Sequence, residues 1–323
     1  MVRTARYLVT GGAGFIGSHI ADALLREDAD VRIFDDFSSG KERNLRRMAP
    51  CVEIARGDVR DGEALRRAMD GVAVVFHLAA VSSVRRSVDH PIETSAVNIT
   101  GTERVLLAAR DAGVRRVVYA SSAAIYGDSP APIQSEDALP APMSPYAVHK
   151  LTGEHLCRAY AHLYGLETVA LRFFNVFGPR QDPDSEYASV IPRFLAALTR
   201  GERPTIYGDG EQTRDFVAIE NIVAANLLAA TTPGISGAVM NIGSGAATSL
   251  LDALRILGEL SGAEILPIFE PARVGDIRDS MASIQRARDL LGYEPRVTLR
   301  EGLSRTLAAW SPRAGVEGAT QLS

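Results

Sequence analysis

The stretch Tyr7-Leu8-Val9-Thr10-Gly11-Gly12-Ala13-Gly14-Phe15-Ile16-Gly17 decides how this chain folds. A short apolar run over 6–10 reads as a strand, and a helical pattern follows through Ile16, Ile20, Leu24 and Leu25. Gly11, Gly14 and Gly17 lie between them. In a strand–turn–helix of this kind the first glycine permits the tight turn. The second lets backbone approach a diphosphate, and the third allows close helix–sheet packing. The helix N-terminus offers unpaired N–H groups and a partial positive charge to the phosphates. Three spaced glycines carry little weight in a chain with 28 of them, so position matters more. Residues 30–35 (DVRIFD) read as the next strand and end in Asp35. A carboxylate there accepts hydrogen bonds from an adenosine ribose diol and repels a ribose phosphate. NAD rather than NADP is the expected cofactor, with Lys41 and Arg43 the nearby cations that argue the other way.

Working outward, strands are expected near 51–55, at 72–78, 114–120 and 166–173, and helices near 61–69, 95–112 and 146–164. This alternation predicts an α/β fold: a Rossmann-type doubly wound parallel sheet, covered on both faces and joined by right-handed crossovers. The Pro-rich stretch 128–145 reads as a loop, with Pro145 suited to a helix start. Beyond 175 the pattern is less regular. Helices are expected over 188–200 and near 282–291 and 301–309, and a short strand over 237–243. Thr248 or Ser249 can cap the helix that follows. The expected division is a mainly NAD-binding domain over 1–174 and a smaller, mainly substrate-binding C-terminal domain over 175–323. Segments near 217–243 are expected to return to the first domain. The tail 312–323 is polar and expected to fray.

Composition bounds the function. A chain of 323 residues with 46% hydrophobic and 23% charged residues can bury a sizeable core. Its net charge of -4 lacks the basic balance of a nucleic-acid binder. Cys51 and Cys157 cannot form a disulfide scaffold or a four-cysteine metal site, and they read as reduced thiols. The strand near the N-terminus argues against a cleaved signal peptide. No apolar run reaches the roughly 20 residues of a membrane span. A cytoplasmic protein with no metal, membrane or nucleic-acid partner is expected.

Tyr146 and Lys150 stand four apart in an expected helix and share a face. A nearby ammonium and an oxidised nicotinamide ring would both favour the phenolate. That phenolate is a base able to take a proton from a sugar hydroxyl as hydride leaves the same carbon. Ser121 and Ser122 end the strand before this helix and are expected to face one crevice, with Ser122 bridging substrate and phenolate. Asp58 and Val59 follow the third strand and are expected at the adenine edge. Leu78, Ala79 and Ala80 end the fourth strand with room for a cofactor to lie close.

With these features in place the chain resembles the extended short-chain dehydrogenase/reductase family, and within it the nucleotide-sugar 4-epimerases. The likeness runs from about 5 to 310 and rests on VTGGAGFIGSH, HLAA, YASSAAIYGD, SPYAVHK, LRFFNVFGPRQ, IYGDGEQTRDF and GDIRDS. The family's tyrosine motif commonly ends Ser-Lys; here it is His149-Lys150. The resemblance implies Ser122, Tyr146 and Lys150 as catalytic residues. It extends cofactor contact to Phe15, Ile16, Asp36, Ser38, Ser39, Gly40, Ser121 and Phe173. On the substrate side it implies Asn175 at the sugar–diphosphate region and Tyr207 near the uracil. Arg214 and Arg273 would lie on the diphosphate, Asp276 on the nucleoside ribose and Ser83 on sugar hydroxyls.

The implied reaction is reversible NAD-dependent 4-epimerisation of a UDP-hexose through a 4-keto sugar, by a homodimer formed through helices near 95–112 and 146–164. Related dehydratases add an Asp-Glu pair after the strand-five hydroxyl residue, and decarboxylases add a Glu nearby. Ala123 and Ala124 stand there instead, and an alanine cannot move a proton. Ser280 matches a position that shapes the sugar pocket. A small residue there admits N-acetyl sugars, and a helix cap is its bland reading. UDP-glucuronate 4-epimerisation is an alternative, with Arg85 and Arg86 as candidate carboxylate partners. A dehydratase or decarboxylase is another, and a non-catalytic dinucleotide-binding protein is the last.

Overall fold

Each apolar strand of this chain feeds a helix that returns antiparallel to it, and the strands meet in one parallel sheet. The computed structural model describes residues 5–129, 131–182, 190–272 and 278–310. The sheet strands are β1 (Arg6–Thr10), β2 (Asp30–Asp35), β3 (Glu53–Arg56), β4 (Val72–His77), β5 (Arg116–Ser122), β6 (Glu167–Phe173) and β7 (Ala238–Ile242). Their spatial order is β7-β6-β5-β4-β1-β2-β3, all parallel. The order reverses between β1 and β4. In open sheets ligands bind at such a switch point, beyond the carboxyl ends of the strands.

Helices α1 (Phe15–Arg26), α2 (Gly62–Ala68), α3 (Thr102–Asp111), α4 (Pro145–Tyr164) and α5 (Ile219–Thr231) cover the two faces. Successive strand side chains point to opposite faces, so a covered parallel sheet needs both to be apolar. Val9, Ile33, Phe76 and Val118 pack with Ile20 and Leu24 of α1 and Ile222 of α5. Their neighbours Leu8, Phe34, Val75 and Val117 pack with Leu65, Leu106 and Tyr160 of α2, α3 and α4.

The structure departs from the expected elements in places that matter for the site. The single helix expected over 95–112 is broken into Pro91–Ser95, a π-helical segment Ala96–Gly101 and α3. Such wide turns occur often at functional sites. The Pro-rich loop contains a two-residue strand, Ile133–Gln134, which pairs with Met281–Ala282. α4 starts at Pro145; the Ser144 hydroxyl accepts from Ala147 N at 3.2 Å, and Gly165 ends the helix at φ 68°. Ser249, rather than Thr248, caps the helix Leu250–Ser261 by accepting from Asp252 N at 3.0 Å. The tail 312–323 lies outside the described residues.

A third apolar cluster joins Phe177, Phe194, Leu195, Ile206, Leu254, Leu257 and Leu303. We infer from this separate core a smaller C-terminal unit. Residues of α5 and β7, including Ile222 and Met240, pack in the core of the main sheet.

α4 lies unusually close to β5 because residue 153 is a glycine. A Cβ there would stand 2.8 Å from Cε1 of the buried Tyr119 ring, and closer still to its phenol carbon and oxygen. Gly153→Ala is expected to lower the thermal midpoint by about 3–10 °C through overpacking. An unchanged midpoint in a melting curve would contradict this close helix–strand approach.

Candidate active site

The glycine turn is built by two constraints at once. Gly11 has φ 69°, a conformation that strains any L side chain, and a Cβ on it would lie 2.8 Å from Ala79 N. Gly17 keeps α1 close to the turn: its Cβ would lie 2.9 Å from Gly12 Cα. The close contact with the sheet falls instead to Gly12, whose Cβ would meet Ile33 Cγ2 at 2.7 Å. Gly14 caps α1 without any side-chain hydrogen bond, so the first N–H groups of the helix face outward. Phe15 and Ile16 begin α1 beside them.

Asp35 is buried at the end of β2. Its Oδ2 accepts from Ala13 N and its Oδ1 from Phe37 N, both at 2.8 Å. Burial raises its pKa against the lowering effect of these amides. Gly40 backs the carboxylate, since a Cβ there would lie 2.8 Å from Oδ1. Asp36 accepts from the N–H and hydroxyl of Ser38, and Asp36, Ser38 and Ser39 form an exposed rim. Lys41 and Arg43, the cations that could have welcomed a ribose phosphate, face Asp182 at 3.6 and 3.8 Å. The Asp58 carboxylate is bound by Arg60, which holds its pKa down, and Val59 is buried against Gly101.

A polar chain that carried no sequence signal fixes the end of β4. Ala79 N donates to the Thr10 hydroxyl at 3.3 Å, and Thr10 pairs with His77 Nδ1 at 2.8 Å. On the other ring edge Nε2 meets the Thr102 hydroxyl at 3.0 Å, and that hydroxyl donates to Asn98 O. Thr102 is therefore the acceptor, Nε2 carries the proton and Nδ1 accepts from Thr10. Burial, with the Lys150 charge second, pushes His77 down to about 3, so it stays neutral. Asn98, in the π-helical segment, accepts from Val81 N at 2.8 Å and donates to Val81 O at 2.9 Å. Leu78, Ala79 and Ala80 are thus clamped from both ends. Buried Thr, His and Asn in apolar elements read from sequence only as interruptions.

The structure brings Ser122, Tyr146 and Lys150 together. Lys150 Nζ donates to Ala120 O at 2.7 Å and lies 5.9 Å from the Tyr146 ring centre. The Ser122 hydroxyl bonds the Tyr146 phenol and accepts from Ala124 N at 3.2 Å. The Tyr146 backbone N–H is held by the Ser87 hydroxyl at 3.0 Å. Burial raises the Tyr146 pKa, with Ser122 opposing, and lowers Lys150 to about 8. Without cofactor, burial outweighs the Ser122 bond and favours the neutral phenol; the expected phenolate also requires the charge of an oxidised nicotinamide.

Ser121 does not share the crevice of Ser122. Strand alternation turns it, with Tyr119, toward α4, where its hydroxyl donates to Glu154 Oε1 at 2.5 Å. Glu154 in turn holds Arg172 through two bonds of 2.9 and 2.8 Å. Phe173, next on β6, is buried in the main core.

On the substrate side, Asn175 starts a strand (Asn175–Phe177) that pairs with Phe216–Ala218. Tyr207 lies under the Arg193 guanidinium, 5.5 Å from its ring centre. Arg214 donates to Thr213 O at 2.8 Å and Arg278 O at 3.3 Å. The Ser83 hydroxyl caps the helix Val84–Asp89 by accepting from Arg86 N at 2.9 Å. Ser280 is half-buried and caps no helix: the next one starts at Gln285 with Ile284 as its cap. Arg273 and Asp276 lie outside the described residues. Asp215, which the sequence did not single out, gathers this side. It is fully buried and accepts from the backbone N–H groups of Ser244, Gly245 and Ala282 and from the Ser244 hydroxyl.

A family model described as the NAD dependent epimerase/dehydratase family matches residues 7–243. The chain belongs to that family. It is 42% identical to the UDP-glucose 4-epimerase of Mycolicibacterium smegmatis, over 94% of this chain and 97% of that protein. The UDP-glucose 4-epimerase of Thermotoga maritima, solved with UDP-glucose, superposes with a TM-score of 0.89 at 38% identity, covering 94% and 98% of the two chains. The UDP-N-acetylglucosamine 4-epimerase of Methanobrevibacter ruminantium, solved with UDP-N-acetylmuramic acid, gives 0.90 at 37% identity over 95% and 98%. NAD is the family's cofactor, and the uncapped α1 terminus, the Gly11 turn and buried Asp35 fit its diphosphate and ribose. Among the described residues no helix is long and apolar enough to cross a membrane.

The burial of Lys150 has a measurable consequence. Its folded pKa of about 8 lies below the unfolded value near 10.4. Between those values the unfolded chain binds more protons, so stability rises with pH. Cofactor-free protein is expected to gain thermal stability from about pH 8 to 10 relative to Lys150→Met. Parallel pH profiles of the two proteins would contradict the buried ammonium.

Proposed function

We propose that the protein interconverts UDP-hexoses at C4, UDP-glucose with UDP-galactose first, through a 4-keto sugar. The observation that carries this reading is the joining of Ser122, Tyr146 and Lys150 at the mouth of the NAD turn. Bound NAD supplies the hydride acceptor and, in its oxidised form, a positive charge. The chain's own residues handle the proton. Tyr146 takes the hydroxyl proton of the sugar, and Ser122 bonds the phenol and orients the same hydroxyl. Lys150, fixed by Ala120 O, keeps an ammonium beside the ring and in reach of a ribose. On our reading Asn175, Tyr207 and Arg214 belong to the nucleotide-sugar side, with Arg273 and Asp276.

Two geometric facts favour epimerisation over its alternatives. Ala123 and Ala124 form the tight turn directly after Ser122, and neither has a proton to move. Arg85 and Arg86, the candidate partners of a uronate, are in ion pairs with Asp89 and Glu93 on an exposed helix. We further propose a homodimer through the helices around α3 and α4. Leu107, Val148, Leu163 and Tyr164 stand exposed there. Cytoplasmic location remains part of this reading.

Purified protein is expected to convert UDP-glucose to UDP-galactose without added NAD, and Tyr146→Phe to lower kcat by about 10²–10⁴-fold. Release of water or carbon dioxide from the sugar would favour a dehydratase or decarboxylase instead. The half-buried serine at 280 leaves room for an N-acetyl group, so UDP-N-acetylglucosamine is expected to turn over in the same assay. UDP-glucose turnover alone would remove Ser280 from the determinants of sugar range.

A further inference from the structure

We propose that Arg180 is a latch that fastens the segment Gly178–Asp182 across the cofactor turn and slows the release of NAD. The proposal rests on the placement of NAD on the Gly11–Gly17 turn.

Two walls flank that turn. One is the outer side of α1. The other is the stretch after β2, which is tied to the turn itself: Lys41 N and Asn44 Nδ2 both donate to Ala13 O, at 3.0 and 2.9 Å. The segment Gly178–Asp182 joins these walls. On the α1 side, Arg180 Nη1 donates to Ser18 O at 3.0 Å, and Nη2 pairs with Asp22 at 3.2 Å. Beside it, His19 Nε2 donates to Pro179 O at 2.9 Å. Gly178 sits over Phe15, the first residue of α1: a Cβ there would stand 3.5 Å from the Phe15 ring and 2.5 Å from Ile219 Cγ2. On the other side, Asp182 faces Lys41 and Arg43. A diphosphate at the α1 N-terminus would therefore lie within a ring of contacts closed by this segment.

Arg180 holds this place in an unfavourable backbone conformation, with φ 67°. Only glycine adopts it without strain, yet a glycine could not reach Ser18 O or Asp22. Local strain retained where a side chain makes two polar links across a ligand turn points to the side chain as the reason. The side chains of Arg180 and Asp22 are about three-quarters buried, at 25% and 23% exposure. This pair is therefore less screened than an ordinary surface ion pair. Opening the ring requires breaking it, so its contribution falls on the dissociation rate.

The test is exchange of bound NAD against labelled NAD in purified holoenzyme, with the thermal midpoint measured alongside. Arg180→Gly suits the backbone and removes the latch. It is expected to speed exchange by about tenfold or more, as loss of a charge-assisted contact implies, with the midpoint unchanged or raised. Asp22→Asn keeps the Ser18 carbonyl contact and is expected to act in the same direction but less. If Arg180→Gly exchanges NAD at the parent's rate, the latch is overturned. It is also overturned if faster exchange comes only with a lowered midpoint while Asp22→Asn behaves as the parent. A parent that neither holds nor binds NAD would instead strike the cofactor placement on which the latch rests.

Discussion

The ion pair between Glu154 and Arg172 organises the reacting face. Both side chains are almost wholly buried, at 3% and 6% exposure, and they meet through two parallel hydrogen bonds. A buried charge pair persists only if its remaining donors and acceptors are also met. They are met here by Ser121, which donates to Glu154, and by Tyr126, which accepts from Arg172 and donates to Asn241. Each partner belongs to a different element: Glu154 to α4, Arg172 to β6, Ser121 to β5, Asn241 to β7 and Tyr126 to the turn after Ser122. The pair therefore sets the height of α4 against three strands at once. Lys150 and Tyr146 lie one and two turns N-terminal to Glu154 on the same face, so their height is set with it.

This network explains why the two strand-end serines divide the work. Ser121 faces inward and completes the charge pair. Ser122, the last residue of β5, points to the other side and meets the phenol. Adjacent hydroxyls in a sequence read alike, and only the pleat of the strand separates them. The same limit applies elsewhere. Gly11, Asp35, Tyr146 and Lys150 were legible because each satisfies a local rule of spacing within one turn or helix. Asn98, His77 and Asp215 were not, because their partners lie on other elements and their meaning depends on the crossovers. The helix expected over 95–112 kept its apolar period through the wide turn, so periodicity could not show the break that places Asn98 on Val81.

The electrostatics of the site set stability against chemistry. Burial pushes Tyr146 toward its neutral form and Lys150 toward losing its charge. Burial favours the neutral phenol, and a positive charge arriving beside it would favour the phenolate. On the reading proposed above, the phenolate of Tyr146 would be favoured when oxidised cofactor is bound. Holding Lys150 on the Ala120 carbonyl is the structural cost of this arrangement, since a buried ammonium destabilises the fold it serves.

The turn after Ser122 carries the same logic to the choice of reaction. Ala123 packs against the apolar core of the main sheet, and Ile125 is fully buried behind it. The same turn ends in Tyr126, which meets Arg172 of the charge pair. Elimination and decarboxylation each need a further acid or base on the ring. In this chain the positions that would supply one from the turn are Ala123 and Ala124, which carry no acid or base. On the reading proposed above, the sugar would then meet one proton acceptor, Tyr146, and one hydride store, a pair that can run forward and back on a single carbon.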